Sequence, residues 1–376
     1  MTGKSAPKVV VIGAGSIGAH IAYRLAARGC DVTVLDAGSP GSGTTARSIA
    51  GLSTFPQVAG SIPAMVRRRM RTNDLYRELQ QEVGGSWLHW TGTLTWSDQE
   101  PSQSRLRQDF ASMAQLTADV EALSSTEASD LDPAIRFPTG PTIYRESDGG
   151  WIDGPGMVAS LLGAAVALGA DVHQNSPVTA IAADGDGVRV SCADTEYVAD
   201  VAVNAAGSWA SHVGSLAGAA IPLDLRPGLI VLSDPLQTPL RHVINSTQMN
   251  IRPDPTGCVA IHWRGDDTYT AHGFNAAIAQ HALDAAAEVL PELGGSVPLA
   301  TRVGIRPVPP GGPIVGWHPS VQRMFLAISH GGIGWGPEWA QAAADAIIEK
   351  REHMENEAFS PNRFFHGQHS WLAPAL

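Results

Sequence analysis

Three glycines and one carboxylate near the N-terminus have the spacing of a dinucleotide-binding site. Gly13, Gly15 and Gly18 follow the β-branched run Lys8–Ile12, and Asp36 ends the next such run. In this arrangement the first glycine permits a tight turn, the second lets the backbone approach a pyrophosphate, and the third lets a helix pack against the strand. The start of that helix offers N–H groups and partial positive charge to the phosphates. Asp36 would accept a hydrogen bond from a ribose hydroxyl and repel a 2′-phosphate, which disfavours NADP.

The elements that must position these residues follow from the hydrophobic pattern. Lys8–Ile12 is typical of a strand buried on both faces, and apolar residues at helical spacing after Gly15 predict a helix that ends at Gly29. Asp31–Leu35 completes a βαβ unit. Further along the chain, we expect helices over residues 61–83, 105–123, 154–168, 275–290 and 339–351, and strands over 87–96, 178–183, 188–192, 201–205, 302–308, 324–328 and within 221–264.

Composition excludes several classes of protein. A chain of 376 residues suggests about two domains, and 44% hydrophobic against 16% charged residues is too apolar for a disordered protein. The formal net charge of -11 argues against a nucleic-acid binder, which needs a basic surface. Lys4, Lys8 and Lys350 are the only lysines and lie near the ends. We therefore expect neither a Schiff-base lysine nor a P-loop lysine.

The cysteines argue against a disulfide framework and against a metal site. Cys30, Cys192 and Cys258 are far apart and have no CxxC spacing, so we expect no structural zinc and no other metal. We see no signal peptide and no apolar run of about 18 residues, which predicts the absence of a membrane span. These features favour a cytoplasmic protein.

Further blocks of sequence follow the glycine motif in a characteristic order. Together they make the chain resemble the FAD-dependent D-amino-acid oxidase superfamily, especially its glycine oxidase, sarcosine oxidase and D-amino-acid dehydrogenase branches. The resemblance covers nearly the whole chain. The blocks are the Ser/Thr- and Gly-rich loop 41–51, Trp-Ile-Asp-Gly-Pro at 151–155, Val-Asn-Ala-Ala-Gly-Ser-Trp at 203–209, Gly-Ile-Arg-Pro at 304–307, Pro-Ile-Val-Gly at 313–316, His-Gly-Gly-Ile-Gly at 330–334 and Phe-Ser-Pro-Asn-Arg-Phe at 359–364.

This resemblance implies an α/β fold. It consists of a Rossmann-type FAD-binding domain of the glutathione-reductase kind and an interwoven mixed-sheet (α+β) substrate domain. Helix-rich and strand-rich stretches alternate without a linker, which also favours interwoven domains. We expect the FAD-binding domain to combine residues 1–85, 145–220 and 300–364, the substrate domain to combine 86–144 and 221–299, and residues 365–376 to form a C-terminal tail.

The resemblance also implies FAD as the cofactor. Relatives that bind flavin covalently do so through a cysteine just after the strand that holds Arg306, but this chain continues Val308-Pro-Pro there, so we expect non-covalent FAD. Backbone N–H groups of residues 331–334 would lie beside the flavin ring and stabilise its reduced anion; ordinary turn glycines are the alternative. The expected FAD contacts are Gly13, Gly15, Ser16, Ile17, Gly18, Asp36, Ala37, Thr44, Thr45, Ser48, Ala50, Gly51, Val178, Ala206, Gly207, Trp209, Arg306, Gly331, Gly332, Ile333 and Gly334.

Arg306 is the first candidate for holding substrate, because glycine oxidase-like members place an arginine in this block. A guanidinium binds a carboxylate through two parallel hydrogen bonds; a structural salt bridge is the alternative. Two departures from the family matter. A tyrosine that often helps to hold the carboxylate is replaced by Gln248, Met249 and Asn250, and the oxygen-activating lysine of sarcosine oxidases is missing near His262.

Other residues are weaker candidates. His262 and His330 are candidates for catalysis beside the flavin, although a lone histidine in a strand is more often structural. Gln248 and Asn250 are candidate substrate contacts, and Trp263 and Trp335, with His89 and Trp90, are candidates for an aromatic pocket. The arginines of residues 67–71 are expected on a solvated helix face, with a lid or a patch that steers acidic substrates as the alternative.

The resemblance implies oxidation of a C–N bond beside a carboxylate. An amino acid or a secondary or cyclic amino acid would give a hydride to flavin N5, and the resulting imine would hydrolyse. O2 would accept the electrons and give H2O2. The alternatives are a dehydrogenase that uses a quinone or carrier, a biosynthetic enzyme for an unusual amino acid, a non-catalytic flavin-binding subunit, and an NAD-dependent dehydrogenase. A homo-oligomer is left open, and no nucleic-acid partner is expected.

Overall fold

The computed structural model describes residues 6–55, 63–117, 119–193, 195–264, 276–352 and 354–364. Within these ranges the α-helices are α1 (Ser16–Ala27), α2 (Pro63–Val83), α3 (Ser102–Met113), α4 (Ser125–Leu131), α5 (Gly154–Ala167), α6 (Ala210–Ser215), α7 (Ala276–Val289) and α8 (Gly332–Ala344). The strands are β1 (Lys8–Ile12), β2 (Asp31–Leu35), β3 (Gly51–Leu52), β4 (Leu88–His89), β5 (Thr93–Trp96), β6 (Val120–Leu123), β7 (Ile143–Glu146), β8 (Gly150–Ile152), β9 (Asp171–His173), β10 (Val178–Asp184), β11 (Gly187–Cys192), β12 (Thr195–Ala199), β13 (Val201–Asn204), β14 (Asp224–Leu232), β15 (Val243–Ser246), β16 (Met249–Pro253), β17 (Val259–Trp263), β18 (Ala300–Val308), β19 (Ile314–Trp317) and β20 (Met324–Ile328).

A six-stranded sheet holds the N-terminal βαβ unit. Its strand order is β19-β20-β13-β1-β2-β9, and every neighbouring pair is parallel except the antiparallel edge pair β19–β20. The alternation within β1 divides its side chains between two cores. Val9 and Val11 pack with α1, α5 and α8, whereas Val10 and Ile12 pack with the three-stranded sheet β10-β11-β12. The sheet is therefore covered on both faces, as parallel sheets require.

The second large sheet is mixed and has eight strands in the order β18-β14-β17-β16-β15-β5-β7-β6. Its inner strands also alternate with a period of two. Odd-numbered residues such as Leu229, Val231 and Ile261 pack with the apolar side of α7. Even-numbered residues point to the opposite face, where Ile230 packs against Ile49. The sheet thus has one face devoted to a core and one face turned toward the six-stranded sheet and its loops.

The predicted α/β fold, with a Rossmann-type sheet and a mixed sheet that share the chain, is confirmed. Two strands do not follow the expected domain limits, and these limits stay a prediction. β7 crosses the limit at residues 144 and 145, and β18 pairs within the eight-stranded sheet although it was grouped with the FAD-binding segments. The expected tail, 365–376, lies outside the described residues, as do the expected starts of two helices at residues 61 and 275.

Two helix predictions were wrong in part. The helix expected over 105–123 ends at Met113, and Val120–Leu123 is the edge strand β6. The last helix starts at Gly332 instead of residue 339, and a π-helical turn, Asp345–Glu349, follows it. In both cases the apolar spacing indicated a helix but did not mark the residue where the helix ends or begins. No helix among the described residues has both the length and the apolarity needed to cross a bilayer.

Candidate active site

A cavity of about 980 Å³ runs between the two large sheets. It begins at the carboxyl ends of four parallel strands, where Gly13, Asp36, Ala205 and Ser329 line it directly after β1, β2, β13 and β20. Ligands of open α/β sheets bind outside these strand ends. The cavity ends against the even-numbered face of the eight-stranded sheet. We call the first part, around Gly13, Gly15 and Asp36, the nucleotide end, and the second, around Gly228, Arg264 and Arg306, the sheet end.

Close backbone packing builds the nucleotide end. Gly13 has φ +104°, and a Cβ there would lie 2.6 Å from the carbonyl oxygen of Ala205. A Cβ on Gly18 would lie only 1.8 Å from the carbonyl oxygen of Gly13. Gly18 therefore lets α1 start directly against the turn. The Asp36 carboxylate accepts hydrogen bonds from the N–H groups of Ala14 (2.6 Å) and Gly38 (2.8 Å), which hold it at the rim of the cavity.

The loop of residues 41–51 covers this end. Thr45 Oγ1 accepts a hydrogen bond from the N–H of Ser16, at 3.0 Å, so the loop contacts the first turn of α1. Thr44 Oγ1 donates to the carbonyl of Ile305, at 2.6 Å, and links the loop to β18. The loop consequently bridges the nucleotide end and the sheet end.

The first turn of α8 lies between the two ends. Gly331 has φ +69°, and α8 begins at the next residue. Three consecutive carbonyls of this turn accept hydrogen bonds from side chains: Gly332 from Ser16, Ile333 from Tyr76 and Gly334 from Arg69. A helix start presents N–H groups without partners inside the helix and a partial positive charge. The site therefore holds a fixed electropositive turn that can stabilise an anion.

Arg69 and Arg264 are two side chains of the site that the sequence interpretation missed, and Arg69 lies on α2. It lines the cavity, donates to the carbonyls of Gly334 (3.1 Å) and Ser53 (3.4 Å), and its guanidinium lies 4.7 Å from the ring centroid of Trp335. Burial lowers the pKa of this guanidinium. A Cβ on Gly334 would meet Arg69 Nη1 at 2.3 Å, so a side chain there would displace this guanidinium.

The solvated face expected for the arginines of residues 67–71 is therefore wrong for two of them. Arg67 is exposed, but the side chain of Arg68 is only 5% exposed and donates to Glu338 of α8 at 2.6 Å. Arg68 and Arg69 follow Val66 and precede Tyr76 at helical spacing, within the buried side of α2. That spacing was the available signal, because an arginine inside an apolar stripe must be paired or face a cavity.

The sheet end is built from one face of four neighbouring strands. Gly304 and Arg306 of β18 pair in register with Gly228 and Arg226 of β14, and His262 of β17 pairs with Asn250 of β16. Arg306 donates to the carbonyls of Pro227 (2.7 Å) and Arg226 (3.3 Å), which fixes its guanidinium over the sheet. Arg264, just after β17, donates to Asn250 Oδ1 at 2.5 Å. Both arginines line the cavity.

His330 lies where the sheet end and the first turn of α8 meet. Burial lowers its pKa, and the positive charges of Arg306, Arg226 and Arg69 lower it further. The imidazole is therefore neutral at neutral pH, when it can accept a hydrogen bond or a proton.

Comparison with known proteins agrees with this geometry. The sequence profile of a family described as FAD dependent oxidoreductase (DAO) matches residues 8–346. The chain belongs to this FAD-dependent oxidoreductase family. It is 24% identical over 364 residues to the glycine oxidase of Geobacillus kaustophilus, covering 94% of this chain and 96% of that protein. It is 29% identical over 209 residues to the monomeric sarcosine oxidase of Streptomyces avermitilis, covering 54% and 53%.

Solved structures extend the likeness to the whole fold of this flavoenzyme. The L-proline dehydrogenase of P. horikoshii superposes with a TM-score of 0.86 at 20% identity, covering 97% of this chain and 99% of the other. The crystal structure of the Geobacillus glycine oxidase gives 0.81, covering 95% and 99%. The expected family, fold and enzyme class are thus confirmed, with FAD as the cofactor.

The nucleotide end of the flavoenzyme fits FAD. Gly13 and Gly18 leave no room for side chains in the turn that opens α1, and Asp36 is held where a ribose hydroxyl would donate to it. The cavity volume is at the upper end of the roughly 300–1,000 Å³ seen for ligand sites. All the residues expected to contact FAD line this cavity except Gly18, which acts by close packing beneath it.

The residues expected to bind or act on the substrate fall into two groups. Arg306, Asn250, His262 and His330 line the cavity with the FAD residues. Among the described lining residues, the other three expected contacts do not occur: Gln248 is exposed in the turn before β16, Trp263 packs edge-on against His281, and Trp335 stacks on Trp339.

The described residues that line the cavity do not include the four aromatic residues expected to form a pocket. His89 stacks on Trp151 at 3.9 Å, and Trp90 lies beneath Arg77. Trp263 has the opposite parity from His262 in β17, so its ring turns toward α7 and the core. These aromatic residues pack the structure around the site instead of lining it.

Proposed function

We propose that this flavoenzyme oxidises the C–N bond of an amino acid or a secondary or cyclic amino acid beside its carboxylate. The product imine would hydrolyse to an oxo acid and ammonia or an amine, with O2 as the electron acceptor and H2O2 as the second product. The observation that carries the proposal is the position of Arg306. Arg306 lines the same cavity as the first turn of α8, and its positive charge helps to lower the pKa of His330.

Arg306 would bind the substrate carboxylate. A guanidinium held by two backbone carbonyls is oriented before substrate arrives, so little freedom is lost when a carboxylate binds. FAD, when bound without a covalent link, would supply the acceptor for the hydride and thus for the two electrons that it carries. The N–H groups at the start of α8 would stabilise the negative charge that develops there. Positioning by Arg306 and charge stabilisation by α8 then account for most of the rate.

Proton transfer limits the pH range of this reaction. The substrate amine must lose a proton before its nitrogen lone pair can support oxidation. Neutral His330 can accept a hydrogen bond from that amine, and His262 lines the same region. The rate should therefore rise with pH through deprotonation of the substrate amine. A rate that falls over this range would contradict the proposal.

The first experiment is a screen for anaerobic reduction of the flavin. Glycine, sarcosine, D-amino acids, L- and D-proline and related cyclic amines are added to the holoenzyme, and loss of absorbance near 450 nm reports oxidation of the amine. An Arg306→Ala variant should keep its flavin spectrum and lose at least 100-fold in kcat/KM, because a charged carboxylate contact is removed. Unchanged kinetics in this variant would refute the assignment of Arg306.

A second function is favoured by one feature of the composition. Lys4, Lys8 and Lys350 are the only lysines, so the sequence has no lysine within β16 and β17, the stretch that resembles the part of sarcosine oxidases with an oxygen-activating lysine. The alternative is a dehydrogenase that passes electrons to a quinone or carrier. Reduced enzyme is mixed with air or with a soluble quinone; fast reoxidation by air with release of H2O2 supports the oxidase, and slow reoxidation by air but fast by quinone supports the dehydrogenase.

A further inference from the structure

The two ends of the cavity differ in charge. Asp36 is the only acidic residue among the described residues that line it, and it lies at the nucleotide end. The described lining also contains four arginines, Arg47, Arg69, Arg264 and Arg306. Arg47 belongs to the loop that bridges the two ends, and the other three lie at the sheet end or beside the first turn of α8.

Two of these three guanidiniums already have a defined task. Arg69 holds the first turn of α8 and the carbonyl of Ser53. Arg306 is assigned to the carboxylate beside the reacting carbon. Arg264 differs from both, since its partner is the neutral amide oxygen of Asn250. Burial lowers the pKa of Arg264, and no carboxylate of the described residues offsets that effect.

The strand register places Arg264 and Arg306 on either side of β14. β14 pairs with β18 on one side, with Gly228 opposite Gly304, and with β17 on the other, with Val231 opposite Ile261. Continuing the second register brings Arg264 beside Gly228. Strands lie about 4.8 Å apart and residues rise about 3.4 Å along a strand, so the two arginine backbones, two strands and two residues apart, are separated by about 12 Å. Long side chains from both positions can approach one small ligand.

Gly228 leaves the space between them open. An added Cβ there would approach Arg306 Nε at 3.3 Å, so a side chain would press on this guanidinium. The floor between the arginines is therefore backbone, flanked by two positive charges on the same face of the sheet. A ligand that extends from Gly228 across β17 toward Asn250 would contact one guanidinium at each end.

We infer that the substrate carries two carboxylates. It would be an acidic amino acid or an N-carboxyalkyl amino acid, with the carboxylate beside the reacting carbon on Arg306 and the distal carboxylate on Arg264. The inference rests on the proposed function. The distal carboxylate takes no part in the bond changes: the C–H bond breaks and its hydrogen leaves with the bonding electron pair as a hydride to FAD, the nitrogen lone pair forms C=N, and the amine proton leaves to solvent. A substrate with one carboxylate would leave the Arg264 guanidinium, which lines the cavity and donates to a neutral amide oxygen, without a carboxylate partner among the described residues.

Matched substrate pairs test the inference. Sarcosine and N-(carboxymethyl)glycine differ by one carboxylate, as do alanine and aspartate, and norvaline and glutamate, in both enantiomers. Anaerobic stopped-flow measurement of flavin reduction should give the diacid of at least one pair a rate constant divided by Kd about 10- to 100-fold above its monoacid. Arg264→Gln should reduce this ratio at least 10-fold. Arg67→Gln, which removes an exposed arginine of α2, should leave the ratio unchanged.

Binding without turnover gives an independent measurement. Succinate and butyrate, and glutarate and valerate, are titrated against the holoenzyme while the flavin spectrum is followed. The dicarboxylate of at least one pair should bind at least 10-fold more tightly, and Arg264→Gln should remove that preference.

The outcomes separate the inference from the proposed function. If monoacids reduce the flavin as well as diacids do in every pair, the proposed function stands and the inference is overturned. An equal loss for both members of a pair in Arg264→Gln also overturns it. If no amino acid reduces the flavin, the proposed function fails, and the titrations still decide whether the sheet end prefers two carboxylates.

Discussion

The two ends of the cavity are built in different ways. The nucleotide end is formed mainly by backbone atoms. Gly13 and Gly18 allow the tight turn, and two backbone N–H groups donate to Asp36. At the sheet end, charged side chains from separate strands meet over a backbone floor at Gly228. A site made of backbone needs residues that are adjacent in sequence, whereas a site made of side chains needs only strands that are adjacent in space. The first holds a common cofactor, and the second can vary with the substrate.

The largest expected effect is at the nucleotide end. Gly18→Ala places a methyl group 1.8 Å from where the carbonyl oxygen of Gly13 lies, so α1 must move away from the turn. We expect the purified variant to lose the flavin absorbance near 450 nm and all measurable activity. Gly163→Ala is the matched control, because Gly163 is exposed in α5 with open space around its Cβ position, and alanine there should stabilise the helix by about 0.5–1 kcal/mol. Full flavin content in Gly18→Ala would show that the close packing is not required.

Removal of Arg69 is expected to have the next largest effect, because it joins the two ends. Arg69→Met leaves the carbonyls of Gly334 and Ser53 without their donor, and we expect a loss of about 2–3 kcal/mol in the free energy of unfolding and at least a 10-fold fall in kcat/KM. Urea denaturation and steady-state kinetics measure the two effects. Arg67→Ala, two residues earlier and exposed, should change stability by less than about 0.5 kcal/mol. Equal effects of the two substitutions would contradict the role assigned to Arg69.

Glu146 gives the stability a pH dependence. Burial raises the pKa of this carboxyl to about 7, although Ser53, Thr54 and Phe55 donate hydrogen bonds to it. Between the ordinary glutamate pKa and 7, the unfolded chain releases the proton and the folded chain keeps it. Stability therefore falls as pH rises through this window, by about 3 kcal/mol at most, and is then level. Urea midpoints at pH 5 and pH 8, with excess FAD, should fall less in Glu146→Gln.

His20 contributes the opposite slope at the nucleotide end. Burial lowers its pKa to about 4, and the ring bonds to the carbonyl of Ser16 at 2.7 Å. Stability from His20 is thus lost as pH falls from about 6.5 toward 4. Both proteins in the Glu146 experiment keep His20, so the difference between them isolates the carboxyl. Identical changes in the two midpoints would rule out a raised pKa at Glu146.

The smallest expected effect concerns Trp263. Its ring packs against His281 instead of the cavity, so Trp263→Phe should change KM by less than about 2-fold. His262→Ala, the adjacent position of opposite parity, serves as the comparison and should change KM by more. A larger change in KM for Trp263→Phe than for His262→Ala would place the aromatic ring at the substrate.

These contrasts explain how far sequence reasoning reached. Gly13, Gly15, Gly18 and Asp36 could be assigned from local spacing, because one βαβ unit contains all of them. Arg306 was found through a resemblance, since nothing near it in sequence marks a carboxylate site. Arg264 was missed although it continues the alternation of β17 by two residues after His262.

Helix faces were harder to interpret than the glycine turn. Arg69 was missed because a charged residue type alone predicts an exposed position. Val66 and Tyr76, at helical spacing from Arg69, show that its side of α2 is buried. Trp263 and Trp335 were expected at the substrate because aromatic rings are common in pockets. Their direction depends on strand parity and on the exact start of α8, which the sequence interpretation placed seven residues too late.

The two-residue period of the eight-stranded sheet has a consequence for engineering. Odd-numbered residues of β14 and β17 maintain the core, while the even-numbered Gly228, Ile230 and His262 of the same strands line the cavity. Substrate preference and folding are therefore encoded at alternate positions of the same short segments. A directed-evolution library confined to Gly228, Asn250, His262 and Arg264 would sample new substrates while the sheet keeps its packing, and most of its members should be recovered folded and yellow.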